Sequence, residues 1–106
     1  MQIRKFRWSK VYESSEEELV ELFAHKHISA RRWELGEDEK ITGVHPIDTQ
    51  LWCAEGQLRC TIAGNTYSLQ PGDVLDIPAG LTCNIQAGFG GCACYESAAA
   101  KNSHIN

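Results

Sequence analysis

Five cysteines and four histidines hold most of the reactive chemistry in this 106-residue chain. Cys53, Cys60, Cys83, Cys92 and Cys94 are candidate thiolates, which bind soft metals and act as nucleophiles. Their number is odd, and no Cys-x-x-Cys pair occurs. The start, MQIRKFRWSK, is cationic without an apolar run behind it, so it does not read as a secretory leader. A disulfide framework is therefore disfavoured. Cys92 and Cys94 are two apart, which puts both on one face of a strand, and they read as small buried apolar residues. His25 and His27 follow a helical pattern and read as a polar helix end; His104 is in the tail. His45 is the remaining imidazole, with Asp48 three residues on as a candidate to orient it. Asp76, between Leu75 and Ile77, reads as an outward residue or as a buried acceptor for a turn N–H.

The elements that must position these groups fit one small domain. The length leaves no room for a second core. Apolar residues make up 42% of the chain, enough for a packed interior. The net charge of −4 leaves no basic footprint for a nucleic acid. No stretch approaches membrane-spanning length. These features predict a soluble, cytoplasmic protein.

Ile3 to Trp8 alternate apolar and basic residues and predict a short extended arm. Ser15-Glu16-Glu17-Glu18 is a capping-box signature, and Leu19, Leu22 and Phe23 form an apolar stripe, so a helix is predicted over Ser15 to His25. From Ile28 the period changes to two. Strands are expected at Ile28 to Leu35, Thr49 to Ala54, Gln57 to Ile62, Thr66 to Leu69, Val74 to Ile77, Thr82 to Gln86 and Cys92 to Glu96. Gly- and Pro-rich turns separate them, which marks a sandwich or barrel. The end, from Ser97, is small and polar and reads as a frayed tail.

Alternation also assigns faces. A two-residue turn at Glu55-Gly56 sets Cys53 opposite Leu58, Leu51 opposite Cys60 and Thr49 opposite Ile62. That more apolar face should be the interior. Gln50, Trp52, Arg59 and Thr61 then point outward. Trp52 needs a cover, either a second subunit or the N-terminal arm and helix.

Gly56 to Ile62, Ala63 to Leu69 and Gln70 to Gly80 resemble the heart of a cupin domain. Gly72, Pro78 and Gly80 match the family's second motif in register, and Gly56 anchors the first. Counting from these, the family's metal-ligand positions fall on Gly43, His45, Thr49 and Cys83. The helix, the Trp33-bearing strand, His45-Pro46 and the Leu75-Asp76-Ile77-Pro78-Ala79-Gly80 run resemble a subgroup of small bacterial cupins. The resemblance implies an all-β fold: an antiparallel jelly-roll barrel over residues 28–97. One short N-terminal helix within residues 1–27 packs on it, and residues 98–106 form a disordered tail. It also implies a homodimer.

In a metal-bearing cupin, several His and a Glu converge on one divalent ion. Only His45 matches a ligand here, and Cys83 is a thiol replacement. The favoured reading is a small-molecule pocket lined by His45, Thr49, Leu51, Cys53, Cys60 and Cys83 that works without a cofactor. The alternative is a metal enzyme of dioxygenase or isomerase type, holding Zn, Fe or Ni at His45 and Cys83. Cys83 acting as a nucleophile with His45 as base, or the thiols acting as a redox or metal sensor, are further possibilities.

Overall fold

Among the described residues eight elements follow one another: β1 (Arg4–Arg7), α1 (Glu16–His25), β2 (Ala30–Leu35), β3 (Lys40–Val44), β4 (Thr49–Ile62), β5 (Asn65–Leu69), β6 (Asp73–Ile77) and β7 (Thr82–Ala98). The computed structural model describes residues 1–9 and 14–99. All strand pairs are antiparallel.

Two long strands organise the fold. β4 and β7 pair along their length and bend together. The N-terminal half of β4 and the C-terminal half of β7 build a sheet in the order β1-β6-β4-β7-β2, while the other half of β4 pairs outward with β5 and that of β7 with β3. The result is a jelly-roll-like sandwich, as the alternation and turn pattern predict.

The Glu55-Gly56 hairpin does not form. β4 runs straight through it as one strand, so Cys53 does not oppose Leu58, nor Leu51 Cys60, nor Thr49 Ile62. Instead Cys53 faces Cys94, Leu51 faces Leu75 and Glu96, Cys60 faces Tyr67 and Ile85, and Ile62 faces Cys83. The glycine signal was real, but its cause is a bulge. Register shifts occur between Cys53 and Glu55 and between Gly56 and Leu58. Cys53 and Leu58 are an odd number of residues apart, and only such shifts bring both onto the same face. The predicted inward set survives for that reason: Leu51, Cys53, Leu58, Cys60 and Ile62 all lie in the core between the sheets.

The two strands expected at Thr82 to Gln86 and Cys92 to Glu96 are likewise one strand. Ala87 still pairs with Leu58, and Cys92 pairs with Gly56, so Gln57 alone faces Gly88 to Gly91. That glycine-rich excursion puts Phe89 almost wholly in solvent, and its Gly90 N–H donates to Glu37 Oε1 at 2.9 Å. The strand also continues through a buried Ser97 to Ala98, and the Ala99 N–H donates to the Asp48 carbonyl. Ser97 to Ala99 are thus placed, not frayed; the rest of the expected tail, with His104, falls outside the described residues.

α1 forms where its capping box predicts. The Glu18 N–H donates to Ser15 Oγ at 3.1 Å, and the Ser15 N–H donates back to Glu18. Its buried Leu19 and Phe23 close a second cluster on the outer face of the first sheet, with Trp52, Val74 and Ala93. Phe23 meets the Trp52 ring edge-on, centroids 5.0 Å apart, and Trp52 Nε1 donates to Ser97 Oγ. The helix is therefore the cover that Trp52 requires.

Candidate functional site

One end of the sandwich brings a histidine, a glutamate and an arginine together. β3 ends at Val44, and His45 begins the connection to β4. That connection is fixed at two points: Gly80 N–H donates to the His45 carbonyl at 2.9 Å, and Ala79 N–H donates to Asp48 Oδ1 at 2.8 Å. Asp48 thus serves the Pro78–Gly80 turn and does not orient His45, contrary to expectation. Glu96 takes that place, with Oε1 3.4 Å from His45 Nε2. Its other oxygen lies 3.3 Å from Arg31 Nη2.

The strand pattern explains why these three meet. Glu96 faces Leu51 on one side and Arg31 on the other, and follows Cys92 and Cys94 at a spacing of two, so it points inward. Glu96 and His45 side chains are each 19% exposed, while the Arg31 side chain is 75% exposed. His45 Nδ1 is buried and has no hydrogen-bond partner among the described residues. A cleft of about 350 Å³ opens here, lined by Arg31, His45, Thr49, Glu96 and Ser97 with the Pro46-Ile47 backbone turn.

The remaining candidates lie deeper or elsewhere. Leu51, Cys53, Cys60 and Cys83 are no more than 1% exposed and belong to the core between the sheets, with Cys92 and Cys94. Thr49 lines the cleft, but its hydroxyl donates to the Ile47 carbonyl at 2.9 Å. Cys83 faces Gly43 and Ile62, and its thiol points to the Leu81 carbonyl at 3.8 Å. Burial pushes the Cys83 thiol above its usual range, with the nearby Glu96 charge adding to this. Burial, and after it the Cys83 neighbour, pushes Cys60 up to about 12. Cys94 is also held protonated, first by its Cys53 neighbour and then by Cys92 and burial. Asp76 accepts from Gln50 Nε2 and pairs with Arg4; it is Asp73 that accepts the turn N–H, from Gln70.

Of the four positions where the family carries metal ligands, Gly43 has no side chain and the Thr49 hydroxyl is engaged by the Ile47 carbonyl, so His45 and Cys83 are the two that carry a donor suited to a transition metal. Among the described residues, no three His, Cys, Asp or Glu side chains converge so as to hold a metal ion.

Sequence reasoning singles out His45 and Thr49 but neither Glu96 nor Arg31. The available signal was parity: Glu96 is two residues beyond Cys94 on an otherwise apolar inward face.

No protein-family model and no curated protein matches the sequence. Solved structures do. A DUF861-family protein from Thermotoga maritima is 17% identical, with 92% of this chain and 100% of that one covered, at a TM-score of 0.63. A cupin superfamily protein from Desulfitobacterium hafniense is 16% identical over 92% of this chain and 76% of that one, at 0.61. Salicylate 1,2-dioxygenase from Pseudoaminobacter salicylatoxidans is 18% identical over 72% of this chain and 21% of the enzyme, at 0.58. At such identities the likeness is one of fold, and it agrees with the glycine and proline register read from the sequence. The chain has the cupin fold.

Proposed function

We propose that this cupin-fold protein binds a small polar molecule at the mouth of the sandwich, through His45, Glu96 and Arg31, without a multi-histidine metal centre. The observation that carries the reading is the state of the His45 ring. One nitrogen faces a carboxylate, and the other is buried, without a partner among the described residues, beside a cleft. A buried polar atom left unpaired costs about 1–3 kcal/mol, which a ligand's hydrogen bond recovers. With Nε2–H turned to Glu96, the neutral ring offers Nδ1 as an acceptor for a ligand hydroxyl or amine. The exposed Arg31 guanidinium supplies donors at the rim. The deeper face of the site is the apolar core that begins at Leu51.

Native mass spectrometry of freshly purified protein tests this. A small organic adduct, lost in His45→Ala and Glu96→Gln while the fold is retained, is the expected result. Stoichiometric Zn, Fe or Ni that disappears in His45→Ala and in Cys83→Ser overturns the reading in favour of a metal centre.

A further inference from the structure

The outer face of the second sheet holds no carboxylate among its aligned residues. Pairing registers line up two rows across β5, β4, β7 and β3. The first is Ser68, Arg59, Gln86, Lys40; the second is Thr66, Thr61, Asn84, Thr42. Every member is a cation or a neutral hydrogen-bonding group. A cleft of about 450 Å³ is lined by both rows except Ser68, together with Ile41 and Ile85.

Arg59 is set apart from the other arginines. Arg4, Arg7, Arg31 and Arg32 each meet a carboxylate. Arg59 meets none among the described residues, and neither does Lys40. Acids are not scarce, since the chain has 14 against 10 cations. Two cations without a carboxylate partner thus share one cleft whose lining carries no acid, in a protein that is negative overall. The neutral residues reinforce this. Thr42 Oγ1 donates to Asn84 Oδ1 at 2.8 Å, which occupies the amide oxygen and leaves the Asn84 NH₂ as donors. The Thr61 and Thr66 hydroxyls pair at 3.0 Å. Neighbouring strands lie about 4.8 Å apart, so the Arg59 and Lys40 backbones stand roughly 10 Å apart with Gln86 between. Both side chains are long enough to close on one group over Gln86.

We propose that this face binds a phosphate group, free or as a phosphate monoester, between Arg59 and Lys40. A guanidinium fork gives two parallel bonds to a phosphate, a lysine adds a point charge, and flanking hydroxyls and amides take the remaining oxygens. None of these residues lines the His45 cleft, so this site stands independently of the function proposed for that cleft.

The test is an NMR titration of the ¹⁵N-labelled protein with inorganic phosphate, ionic strength held constant with sodium chloride. Saturable shifts at Arg59, Lys40, Asn84 and Gln86 are expected. Binding should weaken at least tenfold in the Arg59→Ala/Lys40→Ala double variant and stay unchanged in His45→Ala. Amide spectra of each variant report that the fold persists. A parallel titration with glycerol 1-phosphate separates the two sources: tighter saturation assigns an ester, and equal or weaker saturation assigns the free ion. Shifts that chloride reproduces, or that survive in the double variant, overturn the proposal.

Discussion

Gly56 passes so close to Gly91 that a Cβ on Gly56 would stand 2.1 Å from the Gly91 carbonyl oxygen. This contact is where β4 and β7 bend together from one sheet into the other. Gly56 also has φ of +74°, a conformation that costs other residues. The corner of the fold therefore rests on a missing side chain for two separate reasons.

Gly56→Ala should accordingly destabilise the protein by about 2–4 kcal/mol, combining backbone strain with a displaced carbonyl. Gly64 separates the two effects. It has φ of +82° but open space where its Cβ would be. Gly64→Ala should cost only about 1 kcal/mol. Urea denaturation of both variants checks this, and equal losses would show that the β4–β7 contact contributes nothing.

The helix packed over Trp52 should be worth several kcal/mol. Phe23 is 6% exposed and contacts the rings of Trp52 and Tyr95. Phe23→Ala should cost about 3–4 kcal/mol and change the near-ultraviolet circular dichroism of the aromatic cluster. Ser15→Ala, which removes only the cap, should cost about 1 kcal/mol and leave that signal intact. A Phe23→Ala protein as stable as the parent would mean that the helix is not what shields Trp52.

The His45–Glu96 pair has a signature that needs no ligand. Nε2 faces the carboxylate, so the neutral ring should carry its proton on Nε2 and leave Nδ1 bare. Long-range ¹H–¹⁵N spectra report the two nitrogens separately. Glu96→Gln should erode the preference for that tautomer, because a carboxylate accepts more strongly than an amide oxygen. A proton found on Nδ1 in the parent protein would remove the basis for His45 as an acceptor.

What could be read in the sequence divides along the range of the interaction involved. The Ser15–Glu18 capping box spans four residues, and it marks the helix start. The inward set Leu51, Cys53, Leu58, Cys60 and Ile62 came from alternation carried across a Glu55-Gly56 hairpin that does not form; the register shifts there give the same parity. The role of Gly56 did not follow, because a turn glycine and a close-contact glycine look alike until Gly91 is placed beside it. β3 (Lys40–Val44) went unread because all five of its residues are exposed, so burial imposes no hydrophobic period on them. Glu96 escaped because a charged residue near a strand end suggests solvent, which outweighed its spacing of two from Cys94; its pairing with Leu51 and Arg31 shows that it points in.

The buried thiols predict how stability responds to alkali. Cys60 has its pKa pushed up to about 12 in the folded state by burial and by Cys83, against about 8.5 for an exposed thiol. Below about pH 8.5 both states keep the proton, and the group makes no difference. Above it the unfolded chain releases the proton while the folded protein retains it, so the unfolded state is favoured. Stability should fall between about pH 8.5 and 12, by at most about 1.4 kcal/mol per pH unit from this group. Cys83 and Cys94 shift in the same direction and steepen the decline. Denaturant titrations at intervals from pH 7 to 11 measure the slope. Cys60→Ala lowers stability at every pH by leaving a small cavity, but it should flatten the slope. An unchanged slope in that variant would show that Cys60 ionises as easily in the folded protein as in the unfolded chain. The same retention of protons should keep Cys60, Cys83 and Cys94 slow to react with a maleimide at pH 7.5 until denaturant is added.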